Sequence, residues 1–583
     1  SPASAQAPSP PTEAPAELPG RPYQLEFDVR IPMRDGTELS AIIVRPADQS
    51  GPLPVIVSLT PYIADRYVTM GAYFARHGYV FASVDVRGRG NSDGEFKPWT
   101  VDRLDGADAI EWLARQLWSD GQVAAWGGSY AGKNQWMFAG EAPPSLRTIV
   151  PSAAGLVGEN IGLYAGNIHR AFNFNWLLMS SGKASNDVIS GDTAFWMGAY
   201  AEISRGEIPY RDFDRLVGYP SPIWQEWMDH PAWDSFWDSA SVAPDRYAHI
   251  RMPTLSITGQ YDGSNTGTLR FRQAHLDAIS PELQAQSYLV IGPWDHPGTR
   301  NPRRHLGGLD MGEASVVDIR ALHVAWYDHV MKGAALPEFL RDRVVYYVTG
   351  VNQWRSAPDV AAATTRRQTL YFTSPDTDAG SIARAGALSE VAPAQSPDAW
   401  VYDPSLPGRN EGFEADTLVS PDYLTDAGLM NRLDGDGLVY DTAPLTQAAD
   451  LVGIPEVELH LAMDVPDTDL RVVFYEITAS GDVAFIAQDQ LRARYRESLR
   501  QEWLVTPGVT EAYRFRTLPF IARTIAAGSR IRVVVAPLGA SIHNERNRNS
   551  GRPVAEETAA DNRIATIRMS LGEGASRIVL PWG

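Results

Sequence analysis

The sequence predicts an open, mostly parallel α/β sheet with flanking helices, an inserted helical cap and a C-terminal β-sandwich. Three observations predict it. Strands alternate with helical segments from Tyr23 to about Ala154, an aromatic and strand-poor stretch then breaks that rhythm, and short alternating segments separated by Pro, Gly and Asp replace it beyond Arg341. At 583 residues the chain exceeds what one core serves. It divides into a flexible Pro/Ala-rich leader (1–20), a sheet domain in two parts (21–154 and 251–340), a helical cap (155–250) and a sandwich of jelly-roll type (341–583).

Each element has a local reason. Tyr23 to Arg30 alternates in polarity, and Pro32-Met-Arg-Asp-Gly36 reads as the turn into a second strand, Glu38 to Arg45. Pro54 to Leu59 is a short apolar run, Gly71 to Gly78 a helix and Tyr79 to Val84 a strand. Asp105 to Leu117 carries apolar residues at helical spacing. The cap is marked by Trp176, Trp196, Trp224, Trp227, Trp233 and Trp237, most of them expected to form its own core. The β–α rhythm returns at Thr254–Thr258 and Tyr288–Ile291, and a helix over Ala314–Met331 closes the unit. Val344–Val348, Glu456–Leu461, Leu470–Ile477 and Arg530–Val535 are assigned to the sandwich.

The segment Val123-Ala-Ala-Trp-Gly-Gly-Ser-Tyr-Ala-Gly132 carries the chemistry. A strand, a sharp turn with Ser129 at its tip and a helix make a nucleophile elbow, in which the residues two before and two after the serine must be small. Gly127 and Ala131 meet that condition. Such a serine needs a base and an orienting acid, following in the order Asp then His on turns after strands. Asp262, in Gly259-Gln-Tyr-Asp-Gly263, and His296, in Gly292-Pro-Trp-Asp-His296, hold those places. Asp295 is a rival acid, but it shares the turn of His296 and points elsewhere. Gly-x-Ser-x-Ala strings recur by chance and strand-end aspartates are often turn residues. The three features together, in order, favour a triad. The Tyr130 amide supplies one oxyanion donor. No glycine-rich loop offers the second, and Tyr62, after the Pro54–Leu59 strand, is either that donor or a packing residue.

Composition narrows the function. A formal charge of −19 argues against nucleic acid, and no apolar run approaches the roughly 20 residues that span a bilayer. With no cysteine, the chain has neither disulfides nor a thiolate metal site. The proposed chemistry requires no metal or organic cofactor. The small-residue run at Ala3-Ser-Ala5 and the absence of an initiating Met suggest an exported protein, periplasmic or secreted, with its signal removed. The expected partner is a small ester, amide or short peptide, and a homo-oligomer is left open.

The set Thr60-Pro-Tyr62, Asp85-Val-Arg-Gly-Arg-Gly-Asn-Ser-Asp-Gly94, Gly127-Gly-Ser-Tyr-Ala-Gly132, Gly259-Gln-Tyr-Asp262 and Gly292-Pro-Trp-Asp-His296 resembles the cocaine esterase and X-Pro dipeptidyl-peptidase group of serine hydrolases. That group includes the α-amino-acid ester hydrolases and glutaryl acylases. The resemblance extends through Trp326-Tyr-Asp328 and Leu491-Arg-Ala-Arg-Tyr-Arg496. It implies an α/β hydrolase with a cap and a jelly roll, Ser129 as nucleophile, Asp262 and His296 as its partners, and Tyr62 with the Tyr130 amide as oxyanion donors. It also implies that Gly88-Arg-Gly90 is a sharp turn and not a phosphate loop.

The substrate is less defined. An α-amino-acid ester hydrolase or X-Pro-type peptidase needs acids to hold a substrate ammonium, and Ala131 offers no charge there. Asp234 in the cap is the candidate acid, with Glu202 and Glu207 behind it, although Asp234 equally suits a helix cap. A reading of another class is a carbohydrate-binding protein with an inactive hydrolase domain.

Overall fold

The computed structural model describes residues 5–10, 22–394, 396–406, 413–538, 541–572 and 574–583. An eleven-stranded sheet runs, from one edge to the other, through Ala5–Gln6, Gln353–Ala357, Val344–Val348, Ser287–Asp295, Thr254–Tyr261, Leu146–Ser152, Ser119–Gly128, Leu53–Thr60, Val80–Asp85, Glu38–Pro46 and Tyr23–Pro32. Pairing is parallel from Val344–Val348 to Val80–Asp85 and antiparallel at both edges. The central strands are buried on both faces, which explains near-continuous apolar runs such as Val80–Asp85.

Helices Val68–Arg76, Asp102–Ala114, Tyr130–Ala139, Asn265–Ala278 and Ile319–Lys332 cover the faces. The last begins where Asp318 Oδ1 accepts the Arg320 and Ala321 N–H groups at 3.0 Å each, and ends at Gly333 with φ 72°. Its Trp326-Tyr-Asp328 motif pins it to the sheet. Trp326 Nε1–H donates to Thr148 Oγ1 at 3.0 Å and Tyr327 O–H to the Ala125 carbonyl at 2.9 Å. No helix among the described residues is long and apolar enough to cross a membrane.

Two expectations change. Val344–Val348 belongs to the α/β sheet, paired parallel with Ser287–Asp295, and not to the C-terminal domain. Its five residues are all buried, as the uninterrupted Val-Val-Tyr-Tyr-Val run requires of an inner parallel strand. The leader reading also fails for residues 5–10. Ala5–Gln6 adds an antiparallel edge strand beside Gln353–Ala357, and the Ala7 N–H donates to the Trp354 carbonyl at 3.1 Å. Residues 1–4 and 11–20 of that leader lie outside the described residues.

The cap is a set of short helices, among them Phe172–Met179, Thr193–Arg205, Pro222–Met228 and Ser235–Ser239. Trp196, Trp224, Trp227 and Trp237 are buried in it as expected. Beyond Ala357 the chain forms a β-rich sandwich domain around its own core, which includes Phe372, Leu459, Phe474, Val533, Ile567 and Leu580. Its Leu491–Arg496 motif is a buried ionic junction. Arg492 takes Asp469 at 2.9 Å and Glu545 at 2.6 Å, while Arg494 takes Asp467 at 2.8 Å. Glu545 also accepts the His169 N–H at 3.0 Å, so the junction ties the sandwich to the cap.

Candidate active site

Ser129 stands between the Ser119–Gly128 strand and the Tyr130–Ala139 helix with φ 59° and ψ −118°. A non-glycine residue held there stores strain, and the surroundings must hold it in place. Its N–H donates to the Ser152 carbonyl at 2.9 Å. Gly127 has φ 149°, and a Cβ placed on it would lie 2.6 Å from that of Ala131, so the small-residue requirement is met by direct contact across the turn. Gln135 clips the elbow from behind. Its Nε2–H donates to the Gly127 and Ala131 carbonyls at 3.1 and 2.8 Å, and its Oε1 accepts the Val150 N–H at 2.8 Å.

Asp262 follows the Thr254–Tyr261 strand and His296 follows Ser287–Asp295, so neighbouring parallel strands deliver both side chains to one edge. His296 Nδ1 lies 2.8 Å from Asp262 Oδ1. The fully buried carboxylate also accepts the Thr258 hydroxyl and the Ser264 N–H, each at 2.9 Å. Burial alone would raise the Asp262 carboxyl. The His296 charge and these hydrogen bonds outweigh it, and its pKa falls below the ordinary carboxylate value. Asp295 is turned away, as expected, with its oxygens taken by the Gly298 N–H at 2.8 Å and Arg303 at 2.5 Å.

Ser129, Tyr130, Tyr62 and His296 line one cavity of about 400 Å³, a size suited to a small organic substrate. The loop carrying Tyr62 is anchored from below by the Asp85–Gly94 segment. Asp85 Oδ1 accepts the Ala64 N–H at 2.8 Å, and the buried Arg89 Nε–H donates to the Pro61 carbonyl at 2.8 Å. Gly90 has φ 49°, and a Cβ there would come within 2.1 Å of Asp85 Oδ2. The glycine pair is thus a tight turn serving this anchor, as the resemblance implies.

The Tyr62 phenol oxygen accepts Trp176 Nε1–H from the cap at 3.1 Å. Burial pushes the phenol up, while the Trp176 and Ser129 hydrogen bonds and the Arg300 charge act the other way. Trp176 stacks on Trp99 at 5.6 Å and 3°, and Trp99 on Tyr130 at 4.8 Å and 23°, giving the cavity an aromatic wall continued by Trp227. Trp99 has φ 60°, and its N–H donates to the Tyr130 phenol oxygen at 2.9 Å. Sequence reasoning missed the bonding roles of Trp176, Trp99 and Gln135, because the partners that matter (Tyr62, the Tyr130 phenol, and the Gly127 and Val150 backbone) lie on other elements and no local pattern marks them.

Asp234 is not at the cavity. Its Oδ1 caps the Ser235–Ser239 helix through the Phe236 N–H at 2.9 Å, and its Oδ2 lies 2.6 Å from His230 Nδ1. Glu202 and Glu207 are exposed and also stand away from it.

Comparison with known proteins agrees with this geometry. Residues 35–298 match the model of the X-Pro dipeptidyl-peptidase (S15) family, and residues 340–576 match the X-Pro dipeptidyl-peptidase C-terminal non-catalytic domain. The cocaine esterase of Rhodococcus sp. (strain MB1 Bresler) is 28% identical over 586 residues, covering 96% of this chain and 98% of that protein. A solved α-amino acid ester hydrolase superposes with a TM-score of 0.82 at 22% identity, over 98% of both chains. An aminopeptidase from a marine sediment archaeon, Thaumarchaeota archaeon, gives 0.79 at 23%, again over 98% of both. With both family domains present in order, and an elbow serine lining one cavity with the Asp262-bonded histidine, the chain belongs to the cocaine esterase and X-Pro dipeptidyl-peptidase group of serine hydrolases.

Proposed function

We propose that this chain hydrolyses small esters or amides through an acyl-enzyme formed on Ser129. The observation that carries the reading is the convergence of the strained Ser129 and the Asp262-bonded His296 on one cavity. His296 takes the serine proton as Ser129 attacks the carbonyl, then returns it to the leaving group. Asp262, ionised and buried, fixes the imidazole tautomer and stabilises its cation. The developing oxyanion is held by the Tyr130 N–H and the Tyr62 O–H. The Tyr62 oxygen already accepts from Trp176, and its hydroxyl also hydrogen-bonds the Ser129 side chain, which aims it at the reacting centre. Water then repeats the sequence on the acyl-enzyme.

Turnover of a panel of nitrophenyl esters and anilides by wild type, Ser129→Ala and Asp262→Asn tests the reading. Loss of turnover in Ser129→Ala and a fall of about 10⁴ in Asp262→Asn are expected, and undiminished hydrolysis by Ser129→Ala refutes it.

Requirement for a free substrate amine is the second reading, supported by the names of the structural relatives. The same ester with and without its α-amino group separates the two. Preference for the amine beyond tenfold, about 1.4 kcal/mol, favours the second reading. The sandwich as a jelly roll, acylase activity and export to the periplasm or medium are further parts of this proposal, supported respectively by its many short strands, the enzyme class and the leader composition.

A further inference from the structure

Among the described residues, one charge at the cavity makes no ion pair. Arg300, half-buried and four residues past His296, shares the cavity with Tyr62, Tyr67, Gly128 and Ser129. Its guanidinium packs on the elbow itself. A Cβ placed on Gly128, the residue before the serine, would lie 2.2 Å from Arg300 Nη1, so the absent side chain is what admits the arginine. Its Nη1–H donates to the adjoining Thr299 Oγ1 at 3.3 Å.

The other charges around it are matched. Arg66 pairs with Asp187. Arg170 takes Asp416 at 2.6 Å and Glu414 at 3.0 Å. Asp262 is held by His296 and Asp295 by Arg303. Among the described residues no ion pair involves Arg300, yet its charge acts on both the Tyr62 and Tyr67 phenols. A cation partly withdrawn from water, in a cavity with one aromatic wall, favours an anion. A guanidinium prefers a planar, two-oxygen partner.

We propose that Arg300 is a specificity-determining residue that binds a carboxylate of the substrate, a reading that rests on Ser129 being the nucleophile. Because the guanidinium lies against Gly128, the carboxylate belongs a short spacer away from the scissile carbonyl. The aromatic wall of Trp99, Trp176 and Trp227 is left for the apolar part of the molecule. The preferred substrates are therefore esters or amides carrying an acid group, on the acyl chain or on the leaving group. An α-ammonium would meet a like charge, and Asp416, the one carboxylate among the described residues lining this cavity, is already paired with Arg170.

The test uses nitrophenyl esters of a neutral acid, of a dicarboxylic acid of the same chain length, of an α-amino acid, and of the neutral acid with the carboxylate on the nitrophenyl ring. Rates are corrected for buffer hydrolysis and for active sites titrated with a serine-directed phosphonate. Wild type is expected to prefer one of the two anionic esters, identifying acyl or leaving-group recognition, and to lose preference as salt rises. In Arg300→Gln the anionic-to-neutral ratio of kcat/KM falls roughly tenfold or more, and Arg300→Lys recovers part of it. The ratio does not depend on the fraction of enzyme that folds. Inhibition of wild type by the free dicarboxylic acid, stronger than by the neutral acid's product, is a second readout that needs no variant.

A wild-type preference for the neutral or amine-bearing ester, or a ratio unmoved in Arg300→Gln, overturns the proposal. If the neutral ester is still cleaved and the phosphonate still labels, the nucleophile reading survives that failure. If nothing is cleaved and nothing labels, the nucleophile reading fails and this proposal with it.

Discussion

Replacing Tyr62 by Phe removes one hydroxyl from the catalytic cavity and leaves the ring in place. The Tyr62 oxygen has one proton to give and already accepts Trp176 Nε1–H at 3.1 Å, so in the transition state that proton has the oxyanion as its partner. Removal of one such donor costs about 2.7–4 kcal/mol of transition-state stabilisation, or roughly 10²–10³ in kcat. The Trp176 N–H also loses its acceptor, a penalty of about 1–3 kcal/mol. That penalty is present before and during reaction alike, so it lowers folding stability and leaves the barrier unchanged. KM is expected to move little, because the bond forms mainly as charge develops.

The assay is steady-state turnover of an activated and an unactivated ester, normalised to phosphonate-titrated sites, with a urea melt alongside. Trp176→Phe serves as the companion variant. It leaves the phenol intact but loosens its aim, and a drop of about tenfold is expected. The double variant should be no slower than Tyr62→Phe alone, since both act through one hydroxyl. A Tyr62→Phe enzyme retaining kcat within threefold refutes the oxyanion assignment. So would an effect confined to KM.

Two further predictions concern the supports of the site. Burial raises the Asp85 carboxyl to about 6 from its ordinary 3.8, so the folded state binds that proton more tightly than the unfolded chain. Its contribution to stability is then complete below pH ~4 and lost as pH rises through 6. Asn at this position keeps an acceptor for the Ala64 N–H without the charge. Asp85→Asn should exceed wild type in stability by about 2–3 kcal/mol at pH 7.5, with the advantage closing towards pH 4; equal differences in denaturant melts at both pH values contradict it. Arg492→Met strips the counter-charge from buried Asp469 and Glu545, and a loss of about 3–5 kcal/mol is expected. Calorimetry of the full chain checks this, and an unshifted melting temperature would show the junction to be dispensable.

What the sequence made legible is what is written in consecutive residues. The elbow shows itself because Gly127 and Ala131 touch across the three residues of the turn, and the acid and base show themselves because each follows a strand in the required order. Val344–Val348 was open to the same reasoning, since five consecutive apolar residues suit an inner parallel strand better than a half-exposed one. Its position at the start of a strand-rich stretch obscured that. Ala5–Gln6 carries no such signal, because its pairing is made by backbone groups with an edge more than 300 residues away. The Trp176–Tyr62 bond joins residues 114 apart, and the lack of an ion pair at Arg300 among the described residues is a property of the assembled cavity. Asp234 shows the converse. Its local sequence suits a helix cap, and that local role is the one the fold gives it.

Turnover through an acyl-enzyme requires that Ser129 become acylated. Rapid acid quenching during hydrolysis of a slow-deacylating ester, followed by intact-mass and peptide mass spectrometry, reads it directly. One acyl group per chain is expected, located on Ser129 and absent from Ser129→Ala. An acyl group on another residue, or full turnover by Ser129→Ala with no adduct on the chain, would contradict it.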